Sequence, residues 1–310
     1  MAFLPLAPVT PPEPRARRYN LLTLANGPIE YERLPGALSD TDPGEPLRLA
    51  GGVTYQPNGC GVTREYPMVC GPDDSPGESP NATDKTFDSE VPFTENEPFV
   101  VYATLQCGSA GRTAAQMRER TLRRFYDGEP TGVERGLARI MAAAGGPELL
   151  SPDPTNIVDV VSTLERWIYG LQDVDVAGGG TTEGVSYGYQ AYIHAPSGVA
   201  AYAGDAHLVE DDRDGKGPFK RTPLGSIWVF GGGYNGAAPG EADQTPGVDF
   251  IYVTGQVTVW RDPDVQTPPE RQTFNRSQNQ WFGLAERAYV VGFDCHVAAA
   301  GFESGAGVSV

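Results

Sequence analysis

Two strand-like runs near the end of the chain constrain its fold more than any other feature. The first reads Asp249-Phe-Ile-Tyr-Val-Thr-Gly-Gln-Val-Thr-Val-Trp260 and the second Leu284-Ala-Glu-Arg-Ala-Tyr-Val-Val-Gly-Phe-Asp294. β-Branched and aromatic residues dominate both, as a pleated, half-buried surface favours. A polar, Pro-rich stretch and then Phe274-Asn-Arg-Ser-Gln-Asn-Gln-Trp281 separate them. The chain is therefore expected to close on two strands, over 249–260 and 284–297, the second returning along the first.

Upstream, two helices stand out. Thr113 is a plausible N-cap for a helix over 113–144 with Met117, Leu122, Phe125, Val133, Leu137, Ile140 and Met141 on a patchy apolar face. Gly128-Glu-Pro-Thr-Gly132 predicts a break or kink in it. A second helix is predicted with Asp153 as cap, Pro154 at its first position and Gly170 near its end. Its stripe of Ile157, Val160, Val161, Leu164, Trp167, Ile168 and Leu171 faces a sheet. Tyr187 to His194 alternates like a strand. Ala195–Tyr202 reads as a short helix begun by Pro196, Leu224–Phe230 as a strand and Gly231–Gly236 as its turn. Glu97–Cys107 is a β-rich run, with a long hairpin or extended strand leading in from Lys85–Phe93. Residues 1–50 are Pro-rich without a sustained period, which predicts an arm lying across something else, with disorder as the rival.

Length allows two modest domains, or one with large excursions. With 39 Gly and 28 Pro spread along 310 residues, extended arms and loops that need partners to bury them are expected. The net charge of −17 argues against a whole-surface nucleic-acid binder, because phosphate affinity comes from basic residues. Four cysteines are too few for a disulfide scaffold in a chain this long. No apolar run approaches the ~18 residues of a membrane span. The start lacks the pattern of a signal peptide, so a cytoplasmic site of synthesis is expected.

Candidate chemistry is sparse. Gly231-Gly-Gly-Tyr-Asn-Gly236 lacks the Lys-Ser/Thr pair and helix start of a phosphate loop and reads as a turn. Cys60 and Cys70 are spaced too widely for a zinc knuckle with Cys295 and His296. A Cys60–Cys70 disulfide is disfavoured by the reducing cytoplasm. His194 before Ser197 invites a Ser–His pair, but no Gly-x-Ser-x-Gly elbow is present. Glu210-Asp-Asp212 lies in a charged loop rather than an apolar pocket. The residues give no catalytic, cofactor-binding or metal site.

The order of elements is an arm, a long β-excursion, a long charged helix, a compact α/β insert and closing β-strands. It resembles the major capsid proteins of tailed bacteriophages, a fold shared with encapsulin shells. The most family-like residues are Gly255, Phe274, Asn279, Glu286, Arg287, Asp294 and Phe302. Val53-Thr-Tyr-Gln-Pro-Asn-Gly-Cys60 and Tyr192-Ile-His-Ala-Pro196 have the flavour of actinobacterial-phage versions. The resemblance implies an α+β fold, with an N-terminal arm and loops over 1–84 and an extended loop over 85–110. A spine helix would follow over 111–150, an axial domain over 151–255 and peripheral strands over 256–310.

What the resemblance implies about function is structural: a subunit self-assembling through pentamers and hexamers into an icosahedral head around double-stranded DNA, with no enzyme activity, cofactor or membrane. Its location would be the virion, assembled in the host cytoplasm. Scaffold, portal or decoration proteins are candidate partners, and DNA would meet the inner face without sequence specificity. Phe87, Phe93, Arg118, Arg123, Arg124, Glu286 and Arg287 are the candidate inter-subunit contacts. The first fifty residues are short for a fused scaffolding segment, so a separate scaffold, or none, is implied. Some relatives cross-link a loop Lys to a peripheral Asn with help from a Glu; Lys85, Asn275 and Asn279 stand near such places. The alternatives are an encapsulin-like shell or head-decoration protein and, in a different class, a small-molecule enzyme built on the central α/β segment.

Overall fold

Each of the two closing runs divides between two sheets. The computed structural model describes residues 20–30, 52–55, 57, 94–108, 113–143, 148–170, 173–176, 180–211, 219–269, 273–294 and 296–303. From the N-terminus these hold helix α1 (Leu21–Leu24), β1 (Asn26–Glu30), β2 (Val53–Tyr55), β3 (Thr94–Asn96), β4 (Phe99–Gly108) and the long helix α2 (Ala114–Ala143). Then come β5 (Glu148–Thr155), α3 (Ile157–Tyr169), β6 (Asp173–Asp175), β7 (Thr181–Glu183), β8 (Tyr192–Pro196) and α4 (Val199–Asp205). The rest is β: β9 (Glu210–Asp211), β10 (Lys220–Arg221), β11 (Ile227–Gly231), β12 (Val248–Thr254), β13 (Val257–Arg261), β14 (Phe274–Asn275), β15 (Gln280–Phe293) and β16 (Val297–Glu303). A seven-stranded sheet runs β5-β16-β12-β8-β11-β10-β9, and a five-stranded sheet runs β1-β13-β15-β14 with β4 added along β15.

Residues 249–260, expected as one strand, are therefore two. β12 pairs antiparallel with β16 in the seven-stranded sheet, and β13 pairs antiparallel with β15 in the five-stranded one. The switch is held by a small polar junction. The Gly255 N–H donates to the His296 carbonyl at 3.3 Å and the Asp294 N–H to the Gln256 carbonyl at 3.0 Å. The Tyr187 hydroxyl donates to Asp294 Oδ2 at 2.8 Å and accepts the Gln256 N–H at 2.7 Å. A Cβ on Gly255 would lie 2.8 Å from that of Asp294, so the close crossing requires glycine there. Alternation within a run cannot reveal that its partner strand changes midway.

The seven-stranded sheet is buried on both faces. Ile193, Ala195, Trp228, Ile251, Val253, Ala298 and Ala300 pack toward α3 and α4. Their alternates Tyr192, Ile227, Val229, Tyr252 and Ala299 pack toward α1 and α2. Strands covered on both sides read as continuous apolar runs, which is why β8 is buried throughout and not alternating as expected. α3 presents the predicted stripe, yet its cap is Asn156, whose Oδ1 accepts the N–H groups of Val158 and Asp159 at 3.0 Å each. The expected cap pair Asp153-Pro154 lies in β5. Asn156 satisfies two of the donors that a helix start leaves open, and Asp153 lies three residues too early.

The break expected in the long helix is not there. α2 runs from Ala114 to Ala143 with Pro130 inside it. Thr113 caps it as expected and adds a reciprocal bond: Thr113 Oγ1 accepts the Gln116 N–H at 3.3 Å, and Gln116 Oε1 accepts the Thr113 N–H at 3.1 Å. Gly132 and Gly136 serve packing. A Cβ on Gly132 would lie 2.5 Å from Val101 Cγ1, and one on Gly136 would overlap the Phe99 ring. Both let β4 approach the helix closely. A Pro in a helix interior costs ~3 kcal/mol. The fully buried Phe125, Val133, Leu137 and Met141 on either side of it each contribute ~1.5–3 kcal/mol in water removed from apolar surface, which holds the helix together across Pro130.

Two expected excursions are partly built into the body. α1 buries Leu21 and Leu24 in the core, and β1 pairs in parallel with β13, so part of the expected arm is joined to the body. Residues 99–108 of the expected extended loop form β4, which pairs with β15 over ten positions.

Candidate functional site

The side chains that might have formed an active site are committed to structure. His194 is fully buried. Its Nδ1 lies 2.9 Å from the Tyr234 hydroxyl and its Nε2 2.9 Å from Thr254 Oγ1. Burial pushes the imidazole down to about 3, so it is neutral at any ordinary pH. With both nitrogens bonded, it has none to offer Ser197, and the hydrolase reading loses its base. The Gly231–Gly236 turn is no anion cradle either: the Gly233 N–H donates to the buried Glu134 Oε2 at 2.9 Å. A Cβ on Gly233 would lie 2.6 Å from the Arg135 nitrogen, and one on Gly231 2.6 Å from Glu134 Cδ. These glycines let the turn rest on α2. Glu134 Oε1 also accepts the Leu21 N–H at 3.3 Å, so one buried carboxylate joins helix, turn and N-terminal segment.

An open groove of about 440 Å³ lies between the end of α2 and residues 233–242. Its walls are mainly Ala, Gly, Phe250 and Tyr252, with Arg135 and Arg139 at the helix side. It contains no nucleophile paired with a base, which acyl or glycosyl transfer would need. Among the described residues no group of three or more His, Cys, Asp or Glu could hold a metal ion. Cys60, Cys70 and Cys295 lie outside the described residues, and Cys107 places its sulfur 3.0 Å from that of Met117.

The predicted contact residues divide into three groups. Phe87 and Phe93, like Lys85, lie outside the described residues. Arg118 and Arg124 are exposed on α2, and Arg118 Nε donates to Thr267 Oγ1 at 3.1 Å. Arg123 is half-buried and pairs with Glu119 one turn away at 3.3 Å. The third group separates the adjacent pair on β15. Glu286 is half-buried, and its backbone exchanges hydrogen bonds with Gln266. Arg287 is 6% exposed and donates to Glu129 Oε1 at 3.0 Å and to the Pro263 carbonyl at 3.3 Å. Tyr289 also donates to Glu129, and Arg261 approaches it at 3.8 Å. The partner of Arg287 is thus in the same chain. Asn275 is likewise engaged, its Oδ1 accepting from both the N–H and the hydroxyl of Ser277.

Glu129 and Glu134 were not singled out from the sequence. The signal was present for Glu129: it occupies the four-residue step Phe125, Glu129, Val133, Leu137, Met141, the most buried line of α2. An acid on such a line must find a partner. Also missed was the stem made by β2 and β3. Val53 pairs opposite Asn96 and Tyr55 opposite Thr94. Val53 packs on Ala288, Val290 and Trp260, and the Tyr55 hydroxyl donates to the Phe293 carbonyl at 2.6 Å. β2 and β3 thus form one anchored two-stranded stem.

No family model matches the chain, and no curated protein matches it. Solved structures of similar arrangement do. The capsid of an empty GTA particle is 11% identical, over 96% of this chain and 95% of that one, with a TM-score of 0.46. The capsid of Ralstonia phage GP4 is 11% identical, over 97% and 96%, with a TM-score of 0.45. The holo-SrpI encapsulin complex from Synechococcus elongatus is 12% identical, over 95% and 91%, with a TM-score of 0.44. At such identities and TM-scores no family membership follows.

Proposed function

We propose that this chain is a structural shell subunit of the tailed-phage major capsid class, assembling into an icosahedral head that encloses double-stranded DNA. The observation that carries the proposal is the stem. β2 and β3 are docked side by side on the five-stranded sheet by Val53 and Tyr55. A fixed base of this kind suits contact with a neighbouring copy, because the ordering entropy at the base is lost before contact. The exposed arginines of α2 in a chain of net charge −17 suit ion pairs between copies that fix register.

In this proposal the axial unit is the seven-stranded sheet with α3 and α4, and the peripheral unit is α2 with the five-stranded sheet. Arg118 and Arg124 remain contact candidates, whereas Arg287 serves internal cohesion. Pentamers and hexamers of the chain, a separate scaffold, a portal, decoration proteins and non-specifically held DNA are the proposed partners, in a virion assembled in the host cytoplasm. The segments 53–60 and 192–196 are the basis for placing it with actinobacterial-phage versions. Sedimentation velocity of the purified chain tests the proposal: large, concentration-dependent species are expected, and a compact monomer at every concentration would overturn it.

A further inference from the structure

We propose that the free edge of β4 pairs with β4 of a second copy, antiparallel across a twofold axis, to join two five-stranded sheets into one. This rests on the shell reading and names one of its contacts. Among the described residues β4 is paired on one side only, with β15. Backbone directions identify the groups left over. The Phe282 N–H donates to Thr273 and the Glu286 N–H to Gln266, both on the side of β15 away from β4. Their partners across the ladder, Gln106 and Tyr102, therefore aim their own N–H and C=O outward. By the two-residue period Val100, Thr104 and Gly108 do the same. An edge of this length is a template for another strand unless something blunts it.

Of the other edge strands, β9 is charged throughout as Glu210-Asp211 and β14 is only two residues long, whereas β4 is long and uncharged. β4 reads Phe-Val-Val-Tyr-Ala-Thr-Leu-Gln-Cys-Gly, with no charge and no proline, and keeps an uninterrupted register over ten pairs. Its outer side chains are also apolar where most exposed: Val100 is 51% and Tyr102 66% accessible. Two copies that each carry a net charge of −17 repel one another along most approaches. β4 is the edge along which they meet without bringing like charges together, and this selects a second copy of the same strand as the occupant.

The test uses Thr104, exposed on β4, as the site of a charge. Thr104→Lys and Thr104→Glu place like charges near the twofold and should each weaken self-association at least tenfold in sedimentation velocity, with circular dichroism and melting unchanged. Mixing the two variants should restore association, since opposite charges then face each other. Gln106→Lys and Gln106→Glu provide the same pair at a second exposed position if either Thr104 variant fails to fold. Wild-type association in the single variants, or no recovery in the mixture, overturns the strand pairing and leaves the shell reading standing. A wild-type chain that never associates overturns both.

Discussion

Replacing single glycines by alanine separates packing from helix breaking in α2. Gly128 has nothing within 4 Å of where a Cβ would go. Alanine is favoured over glycine in a helix interior by ~0.8–1.0 kcal/mol, so Gly128→Ala should stabilise by about 1 kcal/mol. Gly136→Ala gains the same propensity but drives a methyl into the Phe99 ring, and overpacking costs ~1–3 kcal/mol. The net expectation is a loss of about 0–2 kcal/mol. Gly233→Ala meets backbone of α2, including the Arg135 nitrogen at 2.6 Å. It has no helical propensity to gain and no flexible neighbour to yield, so a loss near the upper end, about 3 kcal/mol, is expected. Urea unfolding of the unassembled chain reads all three. Adding Phe99→Leu to Gly136→Ala should recover part of the loss, as residues in contact couple. If Gly136→Ala stabilises as much as Gly128→Ala does, β4 does not pack on the helix as described and the glycines mark a hinge after all.

Arg287→Met leaves the buried Glu129 with only Tyr289 and the more distant Arg261, and should cost about 3 kcal/mol, the low end for a broken buried pair. The double change Glu129→Gln with Arg287→Met should recover most of this in the same urea assay. Asn156→Ala should cost ~1 kcal/mol through loss of the α3 cap. His194 sets a pH dependence. Its folded value, about 3, lies below the ordinary imidazole value of 6.5, so between these the unfolded chain binds the extra proton. The resulting stability is complete above pH 6.5 and is lost as pH falls toward 3, by up to about 5 kcal/mol. Thermal melting from pH 7 to 4 should show the decline, and His194→Gln should flatten it.

Much of the architecture was legible where one local rule decided it. Thr113 before an apolar-periodic run gave the start of α2, and the stripe from Ile157 to Ile168 gave α3 and the face it buries. The sequence misled where two rules competed. Gly128, Pro130 and Gly132 break helices by propensity, but a buried line on either side of them outweighs that tendency. Asp153-Pro154 is a good helix start locally, but it falls within β5, between the Leu150 and Thr155 positions where that strand pairs with β16. What could not be read was anything set by a distant partner. The return of 297–303 to the seven-stranded sheet, the pairing of Glu129 with Arg287 and the stem joining 53–55 to 94–96 each join residues far apart in sequence. Of the candidate contacts, Arg118 and Arg124 stand on the exposed face of α2, and Arg287 pairs within the chain with an acid that stands on another element.

Negative-stain electron microscopy of the purified chain tests the central claim most directly. Closed particles, or rings of five and six subunits, are expected in fields of wild-type protein. Uniform small monomers, under conditions where circular dichroism reports a folded chain, would contradict a shell-forming role.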